Sequence, residues 1–220
     1  MERTDLSHRI SLILSELSKL TNTLYAMDVT DISKYPDNYE TLSIDAALRS
    51  ETIAGRLRRL VFLSTSVSKA DYMNSAGNVL NIGIEDKNGI LEITLPCLLP
   101  KIRQRHRSDY LLDPLYYRLG DYAENHALPT YRHCVICFSH IYNRDLPLQR
   151  VRDYDNLEIK QILDVISTYI MEDDTGLLCD AYNTTELGDT DCTRISVMAQ
   201  DRFLDWLSTR ENRLKSISDF

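Results

Sequence analysis

VLNIGIEDKNGILEITL, residues 79–95, is the stretch where the chain changes period. Leu80, Ile82 and Ile84 alternate, Asp86-Lys87-Asn88-Gly89 follows, and Ile90 to Leu95 is again rich in β-formers. A two-residue period turns one side of a strand inward. Asn-Gly between two such runs is the strongest short-range signal for a hairpin. Upstream the pattern is helical and downstream it is mixed, so this stretch decides between an all-helical chain and an α+β one.

Working upstream, residues 4–27 read as a helix. Leu6, Ile10, Ile13, Leu17, Leu20, Leu24 and Met27 step by four and three, a heptad seam about three heptads long. Such a seam can pack on the neighbouring helix of its own chain or on a second copy. Tyr35-Pro36-Asp37-Asn38 interrupts it. A second helix, about 39–63, presents a broad apolar face through Ile44, Ala47, Leu48, Ile53, Leu57 and Leu60. The two predict a helical hairpin over residues 1–64. Ser64 to Gly77 is polar, rich in Ser and Ala, and reads as a connector to a mixed domain over 78–220.

Downstream, residues 113–127 read as a helix with Pro114 in its first turn, where a missing N–H costs nothing. YRHCVICFSHIY, residues 131–142, is a strand by composition. Residues 176–182 and 193–198 read as further strands and 202–214 as a closing helix. Strands and helices mix without strict alternation, which predicts an α+β fold.

The totals narrow the classes. The chain has 220 residues, 43% hydrophobic and 26% charged, a globular composition. It contains no run of about 18 apolar residues, so no membrane span is expected. MERTDLSHRI lacks the apolar core of a signal peptide, so a cytoplasmic setting is expected. Five cysteines without a secretion signal read as reduced thiols. Cys134-Val-Ile-Cys137 resembles half a zinc site. Residues three apart on a strand face opposite ways, however, so buried thiols fit better. A net charge of −8 argues against a protein that coats nucleic acid. It leaves room for a local basic strip, and LPKIRQRHR (99–107) offers Lys101, Arg103, Arg105 and Arg107.

Chemistry concentrates in RDYDNLEIKQILDVISTYIMEDD, residues 152–174. Asp153 and Asp155 open it; Glu172, Asp173 and Asp174 close it. A helix between them, rising roughly 15 Å from Leu157 to Ser167, followed by about 20 Å of extended chain, could bring both acid groups to one level. Carboxylates sharing a pocket repel unless a cation neutralises them. Mg²⁺ suits oxygen ligands and phosphate substrates, and Lys160 could stabilise the transition state. Equally, Asp155 and Glu158 have the spacing of a capping box, and the remaining acids could be solvated turns.

Asp153-Tyr154-Asp155-Asn156-Leu157, Lys160, Asp164 and Asp173-Asp174 together resemble the RusA family of Holliday junction resolvases. The resemblance covers about residues 78–200. It implies a small mixed sheet with helices, a homodimer, and Mg²⁺-dependent (or Mn²⁺-dependent) cleavage of branched DNA. It also implies a role in recombination and repair, with an origin in prophages or other mobile elements. By position, Asp153, Asp155 and Asp174 would be catalytic metal ligands supported by Asp173, and Lys160 the catalytic lysine. Lys101, Arg103, Arg105 and Arg107 would hold DNA phosphates. Here Asn156-Leu157-Glu158-Ile159-Lys160 is one residue longer than the family spacing, and residues 1–63 have no counterpart in the compact resolvase. The rival expectation is a module without catalysis, in which the acids are caps and surface charge and the helical hairpin receives a partner.

Overall fold

The computed structural model describes residues 3–100 and 109–218, the side chains of Asp109 and 211–218 excepted. The chain divides into two compact units, Met1–Lys69 and Ala70–Phe220.

The first unit is an antiparallel pair of helices, α1 (Arg3–Asp28) and α2 (Pro36–Ser64). Asp31 Oδ1 accepts the Ser33 and Lys34 amides at 2.9 and 3.3 Å, closing the turn between them. Pro36, at the start of α2, supplies a helical φ where no donor is needed. Ile13 of α1 and Ala46 and Ile53 of α2 are buried between the helices. Beside them runs a polar ladder. Thr23 donates to Asp45 (2.8 Å), and Arg49 donates to both Asp45 (2.7 Å) and Glu16 (3.2 Å). Only half of the expected seam is therefore used within the chain. Leu6, Ile13, Leu20 and Met27 turn inward, with Glu16 and Thr23 between them, while Ile10, Leu17 and Leu24 remain exposed.

The division between the units falls at the first residue of α3 (Lys69–Val79), a helix that lies where a connector was expected. Its packing signal is smallness instead of an apolar stripe. A Cβ on Gly77 would run into the Arg118 side chain and come 3.4 Å from the Pro114 carbonyl, so only glycine lets this helix approach α4 (Asp109–Asn125) so closely. Arg118 Nη1 also donates to Asn74 at 3.0 Å. The helix ends in a left-handed cap at Asn81 (φ 58°), with the Ile82 amide on the Gly77 carbonyl at 2.9 Å. That cap delays the first strand from the expected Val79 to Gly83.

The hairpin forms as read. Strands β1 (Gly83–Asp86) and β2 (Leu91–Leu95) pair antiparallel, and Asn88 (φ 58°) and Gly89 (φ 77°) make the mirror-image turn that matches strand twist. Pro114 is the sixth residue of α4, not a first-turn residue, because the helix starts four residues before the expected 113. Then come β3 (Cys134–Asn143), α5 (Lys160–Ile170), β4 (Cys179–Gly188), β5 (Cys192–Ala199) and α6 (Phe203–Ser218). The sheet order is β1-β2-β5-β3-β4. Among the described strands only β3 and β4 are parallel, joined across α5 as parallel neighbours require.

The fold is α+β. One sheet face, with Leu91, Ile93, Ile136, Phe138 and Ile195, packs on Leu111, Leu115 and Leu119 of α4 and Ile162, Ile166 and Ile170 of α5. The other face places Val135, Cys137 and Met198 against Trp206 of α6. A strand covered on both faces has no polar side, which is why β3 reads as an almost unbroken apolar run. No helix among the described residues is long and apolar enough to cross a membrane.

Candidate functional site

The segment after β3 folds back over the sheet's end and is held by polar anchors. The Asn143 amide donates to Asp191 at 2.7 Å, and Arg150 pairs with the same carboxylate. The Arg150 guanidinium lies 5.7 Å from the centre of the Tyr142 ring. The Arg152 amide donates to Tyr142 Oη at 3.1 Å, and its Nη1 to the Leu99 carbonyl at 3.1 Å. Burial alone would push Asp191 up. The hydrogen bonds from Arg150 and the Asn143 amide, with the charges of Arg150 and Arg152, outweigh it and hold the carboxyl below its usual range.

These anchors shape an open depression of about 590 Å³ lined by Val151, Arg152, Asp153, Tyr154, Asp155 and Thr185. Tyr154 to Asn156 is a single tight 3₁₀ turn. Tyr154 Oη shares a 2.9 Å hydrogen bond with Thr185 Oγ1, and Asn156 Nδ2 donates to Asp155 at 3.1 Å. Asp153 and Asp155 are both exposed.

The expected capping box does not form. Helix α5 begins at Lys160 with Ile159 at its N-cap, five residues beyond Asp155. Leu157 is buried in the core with an extended backbone, and the Glu158 amide donates to the Pro100 carbonyl at 2.8 Å. Tertiary contacts thus claim the residues that local spacing assigned to a helix start.

The two acid groups do not form a metal-binding cluster of three or more carboxylates among the described residues. The Glu172 amide is bound to the Tyr131 carbonyl at 3.0 Å. Asp174 lies within electrostatic reach of Cys179, at the start of β4, whereas Asp153 and Asp155 share their depression with Thr185. Lys160 is 79% exposed at its side chain and donates to Asp164 at 3.0 Å. That hydrogen bond, with the charges of Asp164 and Asp174, raises its pKa. Among the described residues, no three His, Cys, Asp or Glu side chains converge to hold a metal. Asp153, Asp155, Asp173 and Asp174 therefore do not assemble the carboxylate set that a Mg²⁺ or Mn²⁺ centre was expected to use. Lys101, Arg103, Arg105 and Arg107 lie outside the described residues.

Beneath Tyr154 sits His140, fully buried, its ring centre 5.6 Å from that of the tyrosine. Neither ring nitrogen has a well-formed hydrogen bond within the described structure. Burial lowers its pKa and nearby Asn183 partly opposes the shift. A histidine held neutral by the fold takes up its proton more readily when unfolded. Its stabilising contribution is therefore complete above the unfolded value near 6.5 and is lost as pH falls toward the lower folded value. We expect His140→Leu to match or exceed the parent by about 1 kcal/mol at pH 5.5, since it removes an unsatisfied polar group. Urea titrations between pH 7.5 and 5 should show a flatter stability profile in the variant; an unchanged slope would exclude His140 as its source.

Cys134 and Cys179 face each other across β3 and β4, and donation to Cys179, with burial, raises the Cys134 thiol. Cys137 points to the opposite sheet face, where burial pushes it up to about 12. The thiols divide between the two layers of the core.

Fold and site together define an α+β protein with a helix–sheet–helix body, a separate helical hairpin, and an open depression of carboxylates and hydroxyls. Residues 2–220 are matched by DUF6100, a family of unknown function, and the chain belongs to that family. No curated protein matches it.

Proposed function

We propose that this chain is a non-catalytic interaction protein whose helical hairpin receives a partner. The observation that carries this reading is the exposed apolar surface of α1 and α2. Ile10, Leu14, Leu17 and Leu24 on one helix and Leu57 on the other are each 39–60% exposed. Scattered exposed leucines are ordinary, but a contiguous apolar surface marks an interaction site. A hairpin with so few buried side chains gains little from its own packing, and covering this surface would add to it.

The competing reading, a Mg²⁺-dependent endonuclease on branched DNA, needs Asp153, Asp155 and Asp174 on one ion with Lys160 facing it. The absence of a three-carboxylate cluster among the described residues and the Lys160–Asp164 pair favour the interaction reading. The test is cleavage of four-way and duplex DNA by the full chain with Mg²⁺ or Mn²⁺, beside Asp155→Asn and Asp174→Asn. We expect no cleavage by any of the three. Metal-dependent cutting that either substitution abolishes would overturn the interaction reading.

A further inference from the structure

We propose that the partner of the hairpin is a second copy of this chain, and that two hairpins pair antiparallel into a four-helix bundle. The proposal rests on the interaction reading above and names its partner.

The geometry follows from the inward residues. On α1 these include Leu6, Ile13 and Leu20, and on α2 Ala46, Ile53 and Leu60. One step along an α-helix rotates a side chain by 100°, and four steps by 40° in the same sense. Positions one and four residues after an inward position therefore lie on one flank. Because the two helices are antiparallel and of one hand, those flanks fall on the same side of the hairpin. On α1 the flank holds Ile10, Leu14, Leu17 and Leu24; on α2 it holds Ala54 and Leu57. No charged residue occupies these flank positions between Leu14 and Leu24, or between Ala47 and Val61. The opposite side carries the polar ladder, where Arg49 is satisfied by Asp45 and Glu16 within the same copy, and Arg56 Nη1 donates to the Leu12 carbonyl at 2.9 Å.

Charge selects the occupant. Residues 1–69 contain nine acidic and nine basic side chains, so the net charge of −8 belongs to residues 70–220. A neutral unit does not repel its own copy as the rest of the chain would. Within that unit the charges are polarised. At the loop end Asp28, Asp31, Asp37 and Glu40 outnumber Lys34, which pairs with Asp31, and at the open end Arg3, Arg9, Arg56, Arg58 and Arg59 outnumber Asp5. An antiparallel two-fold pairing sets each acidic loop end beside the basic open end of the other copy. A parallel pairing sets like against like. The two-fold axis then passes near Leu14 and Leu17, midway along α1. The flank runs about 20 Å from Ile10 to Leu24 across two helices 8–10 Å apart. Two such faces bury on the order of 1,000 Å², at the lower limit for a specific contact.

The test is the mass of the full chain in solution by sedimentation equilibrium across a concentration series. The expected mass is twice the 25.4 kDa of one chain. Leu14→Glu with Leu17→Glu, both solvent-exposed in the single copy, should weaken pairing by about 100-fold or more with helical content unchanged. Glu40→Arg should weaken it by roughly tenfold at low salt. Adding Arg58→Glu to Glu40→Arg should recover most of that loss, because the exchanged charges again face each other. A monomeric wild type, or a dimer indifferent to Leu14→Glu with Leu17→Glu, overturns self-pairing. A charge exchange no better than Glu40→Arg alone overturns the antiparallel arrangement. The two readings fail separately: a monomer that cuts no DNA removes only the second copy as partner, whereas metal-dependent cleavage removes the interaction reading itself.

Discussion

Phe138→Ala is expected to cost about 3–5 kcal/mol, the range for removing a fully buried aromatic side chain. Phe138 lies in the middle of β3, fully buried, and belongs to the core cluster beneath α4 and α5. Its strand is paired on both sides, to β4 in parallel and to β5 antiparallel. Neighbours held by two ladders cannot move in to fill the space, so the cavity term adds to the lost transfer energy. Against a typical total of 5–15 kcal/mol, this is a large fraction of the stability. The thermal midpoint of the α+β unit should fall by on the order of 10 °C. Calorimetry reads this directly. A fall of only a degree or two would mean that β3 is not the centre of the core.

The second large effect concerns the ion pair between Glu186 on β4 and Arg210 on α6. Arg210 Nε donates to Glu186 Oε1 at 3.0 Å, and the two side chains are only 14% and 10% exposed. Glu186→Ala should destabilise by about 3–5 kcal/mol, because it leaves the guanidinium largely shielded from water and without its counter-charge. Arg210→Met alone should cost a similar amount by stranding the carboxylate. Replacing both, Glu186→Leu with Arg210→Met, should restore stability to near the parent or above it. The attraction in the pair roughly repays desolvation and no more. The readout is a double-substitution cycle in urea. Additive losses would contradict the coupling and point to independent surface residues.

Much of the architecture was legible because it depends on local patterns. The seven-residue spacing of α1, the Asn88-Gly89 turn and the unbroken apolar run of β3 each report a short-range property: helix period, left-handed backbone, burial on two faces. Two readings went astray for a common reason. Asp155 and Glu158 have the spacing of a helix start, but Leu157 is drawn into the core and the Glu158 amide is bound by Pro100, so the helix waits until Lys160. Residues 69–79 lack an apolar stripe, but Gly77 allows close approach to α4, and a helix forms where a connector was expected. In both, a contact distant in sequence outweighed local preference.

The candidate site was less legible still. The resemblance placed four aspartates on one ion from their order along the chain. Their meeting depends on where the chain travels after α5, and the pairing of Met171 beside Tyr131 sends Glu172 and its neighbours toward the start of β3. Asp191 carries no local signal in the sequence, yet it anchors Arg150 across 41 residues. His140 lies in an apolar strand, and only the fold brings Tyr154 over it. By itself the sequence determined the α+β class, the helical hairpin, the Asn-Gly turn and the apolar seam of α1, since each is written in residues a few positions apart. The tertiary structure decided which half of that seam is buried, where α5 begins and which carboxylates are neighbours. Those depend on long-range contacts, whose free energies exceed the few tenths of a kcal/mol that separate one local conformation from another.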